Sequence, residues 1–95
     1  SAVHTVSRIA STYGSDGQEE VRHRLSMVLQ AVLSQRLVAC GETLGVAREI
    51  LVRTPAVSQL IRSGKEHQLP TVMQTGAALG MRTMDQALIR LAKGG

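Results

Sequence analysis

His4, His23, His67 and Cys40 are the side chains here best able to bind a metal or to pair as nucleophile and base. Zinc sites draw their ligands in close pairs, and no two of these four lie within a turn of each other. The acidic candidates Asp16, Glu19 and Asp85 stand where helices are expected to begin, and there the macrodipole accounts for a carboxylate without catalysis. No G-x-x-x-x-G-K-[ST] run is present to cradle a phosphate, and no G-x-S-x-G elbow to present a serine. The expectation for these residues alone is no catalytic, cofactor or metal site.

Charge narrows the partners. Eleven Lys/Arg against seven Asp/Glu leave +4, with a pI near 10.2. The basic residues are scattered, and only Arg22-His23-Arg24 approaches a cluster. Tyr13 is the only aromatic residue, so there is no platform for stacking bases. Residues 69–91 could be read as a helix-turn-helix, making a basic helical DNA-binding module the runner-up as a stand-alone function. Of that second helix only Gln86 and Arg90 suit base edges, and Asp85 would meet phosphates. No nucleic acid is therefore expected as a partner. Lone Cys40 cannot form an internal disulfide, and no apolar run approaches the ~18 residues of a membrane span. The expected compartment is the cytoplasm. A Ser-Ala start without Met points to a cleavage scar at residues 1–2, or to a piece of a longer chain.

The elements follow from periodicity. The chain of 95 residues is expected to fold as one domain, mainly α, with about five helices and one short β-hairpin. Without Phe or Trp its core must be aliphatic. Val3, Val6, Ile9 and Ala10 share one face of a first helix, ended by Gly14-Ser15-Asp16-Gly17. A second helix is expected from about Gln18 to Gln35, with Asp16 and Glu19 as a capping box and Val21, Leu25, Val28, Leu29, Val32 and Leu33 as its stripe. Leu37–Cys40 and Val46–Val52 read as a hairpin around Gly41. Thr54-Pro55 starts the next helix, with Val57, Leu60 and Ile61 inward, Ser58, Gln59 and Arg62 outward, and Gly64 at its end. Another runs from about Leu69 to Leu79, admitting Pro70 only near its start. Thr83 and Gln86 box the last helix, striped by Met84, Ala87, Leu88 and Leu91, and Gly94-Gly95 closes the chain.

Taken together, these segments resemble the end of the type IV pilus retraction ATPases, the PilT-like group of the type II/IV secretion ATPase superfamily. The family's Thr-Pro-Ala opening is found at Thr54, Pro55 and Ala56, and its Leu-Ile-Arg at Leu60, Ile61 and Arg62. Its Gln-Thr-Gly lies at Gln74, Thr75 and Gly76, and its Gly-Met-x-Thr-x-Asp at Gly80, Met81, Thr83 and Asp85. Residues 4–11, 25–38 and 46–56 resemble its upstream segments, with Glu49 in register with the Glu of its Ala-x-Glu-Ile strand. Ser7 replaces an Asp, Ser58 the first Arg of its output helix, and Ser63 that helix's Glu, while Leu44-Gly45-Val46 replaces Arg-Val-Ala.

The resemblance implies the C-terminal helical part of a hexameric motor, with ATP and Mg2+ handled by the parent chain outside these residues. The implied partners are the remaining ATPase domains, neighbouring subunits and an inner-membrane pilus platform protein, placing the parent at the cytoplasmic side of that membrane. It also implies that the helix bearing Ser58, Gln59 and Arg62 transmits motor output. Retraction and assembly or secretion both stay open as the parent's activity.

Overall fold

The computed structural model describes residues 1–94; Gly95, one of the two closing glycines, lies outside the described residues. Ser1 begins α1 (Ala2–Ser11), its Oγ accepting from the His4 backbone N–H at 3.3 Å. Ala2, Val6 and Ala10 face the core, each buried to within 1%. Ile9, expected on that face, is 38% exposed, because the buried stripe runs through positions four apart. Ser1 caps the helix and Ala2 sits in the core.

Gly14, at φ 66°, turns the chain directly into α2 (Gly14–Val28). Asp16 falls inside the first turn, so the expected capping box with Glu19 does not form, and no side chain caps this end. A larger correction concerns the other end of α2. The helix expected to reach Gln35 stops at Val28, and β1 (Ala31–Cys40) follows at once. β1 pairs antiparallel with β2 (Thr43–Val52) from Ala31 opposite Val52 to Cys40 opposite Thr43. The hairpin is thus much longer than expected. One face, carrying Leu51, Glu49 and Ala47, is buried; the other carries Leu33, Leu37, Leu44 and Val46, all exposed.

The C-terminal half wraps this hairpin with short helices. Thr54 caps α3 (Pro55–Arg62), its Oγ1 accepting from Val57 N at 3.2 Å. A single 3-10 turn at Glu66–Gln68 leads into α4 (Leu69–Gln74), where Pro70 sits in the first turn without losing a needed donor. The helix expected to reach Leu79 ends at Gln74, and Ala77–Leu79 form a separate 3-10 turn. Thr83 and Gln86 make the expected capping box at the start of α5 (Met84–Ala92). The core gathers Val6, Leu51, Val57, Ile61, Leu69, Met73 and Met81, an aliphatic and thioether core as the composition requires.

Candidate functional site

α3 is fixed by its inner face and offers its outer one. Val57 and Ile61 are buried to within 1%, with Leu60 partly buried against the same core. Their i and i+4 spacing holds α3 without help from its surface residues. Gln59 and Arg62 are exposed, and Arg62 Nη2 donates to Gln59 Oε1 at 2.6 Å. Arg62 therefore spends that bond on a side chain rather than on its own helix's terminal carbonyls. Ser58, expected outward, is half-buried, and its Oγ donates to the Ser26 carbonyl at 2.8 Å. That bond ties α3 to the last turn of α2, whose terminal carbonyls need donors.

Between these two helices lies a cleft of about 630 Å³. Ser58, Gln59 and Arg62 form its α3 wall, Ser26, Met27 and Gln30 the opposite one, and Arg53, Thr54 and Pro55 its end. All three residues assigned to motor output thus border one concavity. Arg53 was not singled out in the sequence, yet it closes the cleft, its Nη1 donating to the Met27 carbonyl. Nothing local marks it, because Met27 lies 26 positions away.

The other family-motif positions shape the fold around α4 and α5. Thr54 and Thr83 are caps, and Pro55 holds the first turn of α3, with Ala56 exposed beside it. Gln74 accepts through its carbonyl from Gln86 Nε2 at 3.2 Å, and Thr75 Oγ1 donates to the Val72 carbonyl at 3.3 Å. A Cβ on Gly76 would stand 2.5 Å from Met81 Cε. Gly80 adopts φ 88°, and Met81 is buried at 4% exposure. The chain then bridges β2, Ile50 and Arg82 exchanging backbone bonds of 2.8 and 2.9 Å. Asp85 is exposed in the first turn of α5.

Two buried carboxylates organise the scaffold. Glu49 Oε1 accepts from Ala2 N at 2.6 Å and its Oε2 from Met84 N at 3.2 Å, so one anion closes the N-termini of α1 and α5. Glu66 accepts from Arg22 at 2.6 and 3.0 Å and from Ser7 Oγ at 2.7 Å. Ser7, standing where the family carries Asp, is thus a donor to a buried acid.

This geometry bears on DNA binding. One N-terminal donor of α1 is engaged by Glu49, one of α3 by Thr54, and two of α5 by Glu49 and Thr83. The same Glu49 contact packs the start of α5, with Thr83 only 7% exposed, against the hairpin. A recognition helix needs that end free to enter a groove. Among the described residues no His, Cys, Asp or Glu group of three or more could hold a metal ion, and no helix is long and apolar enough to cross a membrane.

No family model matches the chain. The twitching motility protein of Neisseria gonorrhoeae is 44% identical over 96 residues, covering 99% of this chain and 26% of that protein. The type IV pilus retraction ATPase PilT of Pseudomonas aeruginosa is 41% identical over 96 residues, covering 99% of this chain and 28% of that protein. In the solved structures, a crystal structure of the pilus retraction motor PilT with bound ADP superposes with a TM-score of 0.82 at 36% identity, covering 98% of this chain and 26% of that one. The chain therefore spans little more than a quarter of the length of these relatives. In sequence and in fold, nearly all of it is homologous to a portion, about a quarter in length, of this twitching motility protein and of the pilus retraction ATPase PilT.

Proposed function

We propose that this chain is the C-terminal helical part of a hexameric motor ATPase that drives type IV pilus retraction and twitching motility. The observation that carries the reading is a near-complete match to retraction ATPases over a stretch that contains no phosphate-binding motif of its own. ATP and Mg2+ are then handled elsewhere in the parent. What this part contributes is mechanical: α3 is clamped to the core by Val57 and Ile61 and to α2 by Ser58, so a rotation of the domain carries Gln59 and Arg62 with it as a rigid lever. Their partners are the remaining ATPase domains, neighbouring subunits and the inner-membrane platform protein, which sets the motor at the cytoplasmic face of that membrane.

The test belongs in the full-length protein. Ile61→Ala removes a buried core side chain and should cost about 2–5 kcal/mol, lowering protein level and every activity together. Arg62→Ala touches no core contact and should preserve folding and ATP turnover while reducing twitching. Cells that express Arg62→Ala at normal levels and still twitch normally would show that this residue does not couple the motor.

A further inference from the structure

The cleft beside α3 carries two guanidinium groups and no carboxylate in its lining. The ion pairs among the described residues are Arg22–Glu66 and Arg24–Glu20, so neither Arg53 nor Arg62 belongs to one. Each is instead held by a neutral acceptor, Arg53 by the Met27 carbonyl and Arg62 by the Gln59 amide oxygen. Such bonds fix a guanidinium's position but leave it without an ion-pair partner in the cleft and with most of its five donors unspent. The same lining includes the polar side chains of Ser58 and Gln30 and the half-exposed, apolar Met27.

We propose that this cleft is a docking groove for an acidic segment of a partner protein, whose Asp or Glu carboxylates pair with Arg53 and Arg62 while an apolar neighbour rests on Met27. It rests on the reading above in taking the outer face of α3 as the coupling surface, and adds the chemistry of what docks there. Charge and shape both select that occupant. Two guanidiniums held in place suit carboxylates, which Arg binds in bidentate pairs. A duplex would need a broad basic face, whereas the other basic residues are scattered. A membrane surface cannot enter a concavity between two helices. Arg62 also borders a hollow lined by Asp16, Glu19, Glu20 and His23 and forms an ion pair with none of them, Glu20 being paired with Arg24. Those acids are a built-in competitor, so docking is reversible and salt-sensitive.

The test uses the full-length protein that carries this chain and a fluorescent peptide of alternating Glu and Leu, followed by anisotropy. Saturable binding that weakens with salt, vanishes when Gln replaces Glu in the peptide, and falls at least about tenfold in both Arg62→Gln and Arg53→Gln is the expected result. Arg53→Lys keeps the charge and a donor for the Met27 carbonyl but not the bidentate fork, so it should bind between wild type and Arg53→Gln and separate lost charge from lost fold. Arg53→Glu with Arg62→Glu should instead favour a Lys-Leu peptide. Equal binding of the Glu peptide by wild type and by Arg53→Gln with Arg62→Gln would overturn the proposal. So would tighter binding of a short DNA duplex, or of phosphatidylcholine vesicles containing phosphatidylglycerol, that is lost in the same variants. Normal twitching by Arg62→Ala cells, with peptide binding by the wild-type chain intact, would remove the coupling role alone and leave the acidic docking standing.

Discussion

Glu66 shows how a single side chain can hold three elements of this small domain together. It sits in the turn before α4 at 5% exposure, gripped by Arg22 of α2 and Ser7 of α1. Burial pushes its pKa up, but the Arg22 and Ser7 hydrogen bonds, its own backbone N–H and the guanidinium charge outweigh burial, and the carboxyl titrates below its ordinary 4.5. A carboxylate depressed in the folded state stabilises the fold at pH values above the unfolded pKa. That contribution is lost as pH falls below about 4.5 and through the lower folded value. Glu66→Gln should therefore cost about 3 kcal/mol at neutral pH, since it leaves Arg22 half-paired in a buried place. The variant should also lose less further stability on acidification than the wild type does. Urea unfolding followed by circular dichroism at neutral pH and near pH 3 measures both, and a wild type no more acid-sensitive than the variant would remove this role. Nothing in the sequence marks this residue, because its partners lie 44 and 59 positions away. A partner 26 positions away likewise hides Arg53, whereas the caps Thr54 and Thr83 were legible because each bonds within three residues of itself.

Among the elements, the link from α4 to α5 depends on backbone that no side chain can replace. Gly76 is buried against Met81: an added Cβ would lie 2.5 Å from Cε and 3.0 Å from Cβ of a residue only 4% exposed. The Met81 tip can bend, but its Cβ cannot move without pulling the Ile50–Arg82 bridge. Gly76→Ala should thus destabilise by about 1–3 kcal/mol as an overpacked site. Met81→Ala in the same chain should lose less than the sum of the two single changes, since the Cε and Sδ contacts at 2.5 and 3.3 Å are gone and only the Cβ contact at 3.0 Å stays. Additive losses in denaturant titrations would place the cost elsewhere. The stop at Gly80 was thus legible, whereas the break at Gln74-Thr75-Gly76 was not: the expected helix runs through Gly76 to Leu79, and the close approach of Met81 that ends it is a tertiary contact. Nor was the boundary between α2 and β1. Leu25, Val28, Leu29, Val32 and Leu33 fit a helical stripe, yet Leu33 ends 58% exposed on a strand. Short apolar runs fit both periods, and here pairing with β2 along ten residues outweighs the local preference for helix.

At the scale of the whole molecule, the hairpin leaves an apolar surface with nothing over it. The domain extends 49 × 27 × 18 Å. On the outer face of its sheet Leu33, Leu37, Leu44 and Val46 are 58%, 68%, 70% and 38% exposed. Leu37 pairs with Val46, and Leu44 with Ala39, so the four share one face. The sheet has only two strands, so β1 also shows an unpaired edge of backbone donors and acceptors. Such an edge beside an apolar face is a template for association. In relatives nearly four times as long there is ample chain to cover it. Alone in solution, the chain should therefore associate with itself as concentration rises. Leu37→Lys with Leu44→Lys should weaken that association while shifting stability by no more than about 0.5 kcal/mol per site, because neither side chain contributes to the core. Sedimentation equilibrium and thermal unfolding on the same samples distinguish the alternatives. A wild type that stays monomeric throughout would mean the face tolerates water unaided. A double variant that melts well below wild type would mean the face is already covered from within, and both results contradict the exposed surface described here.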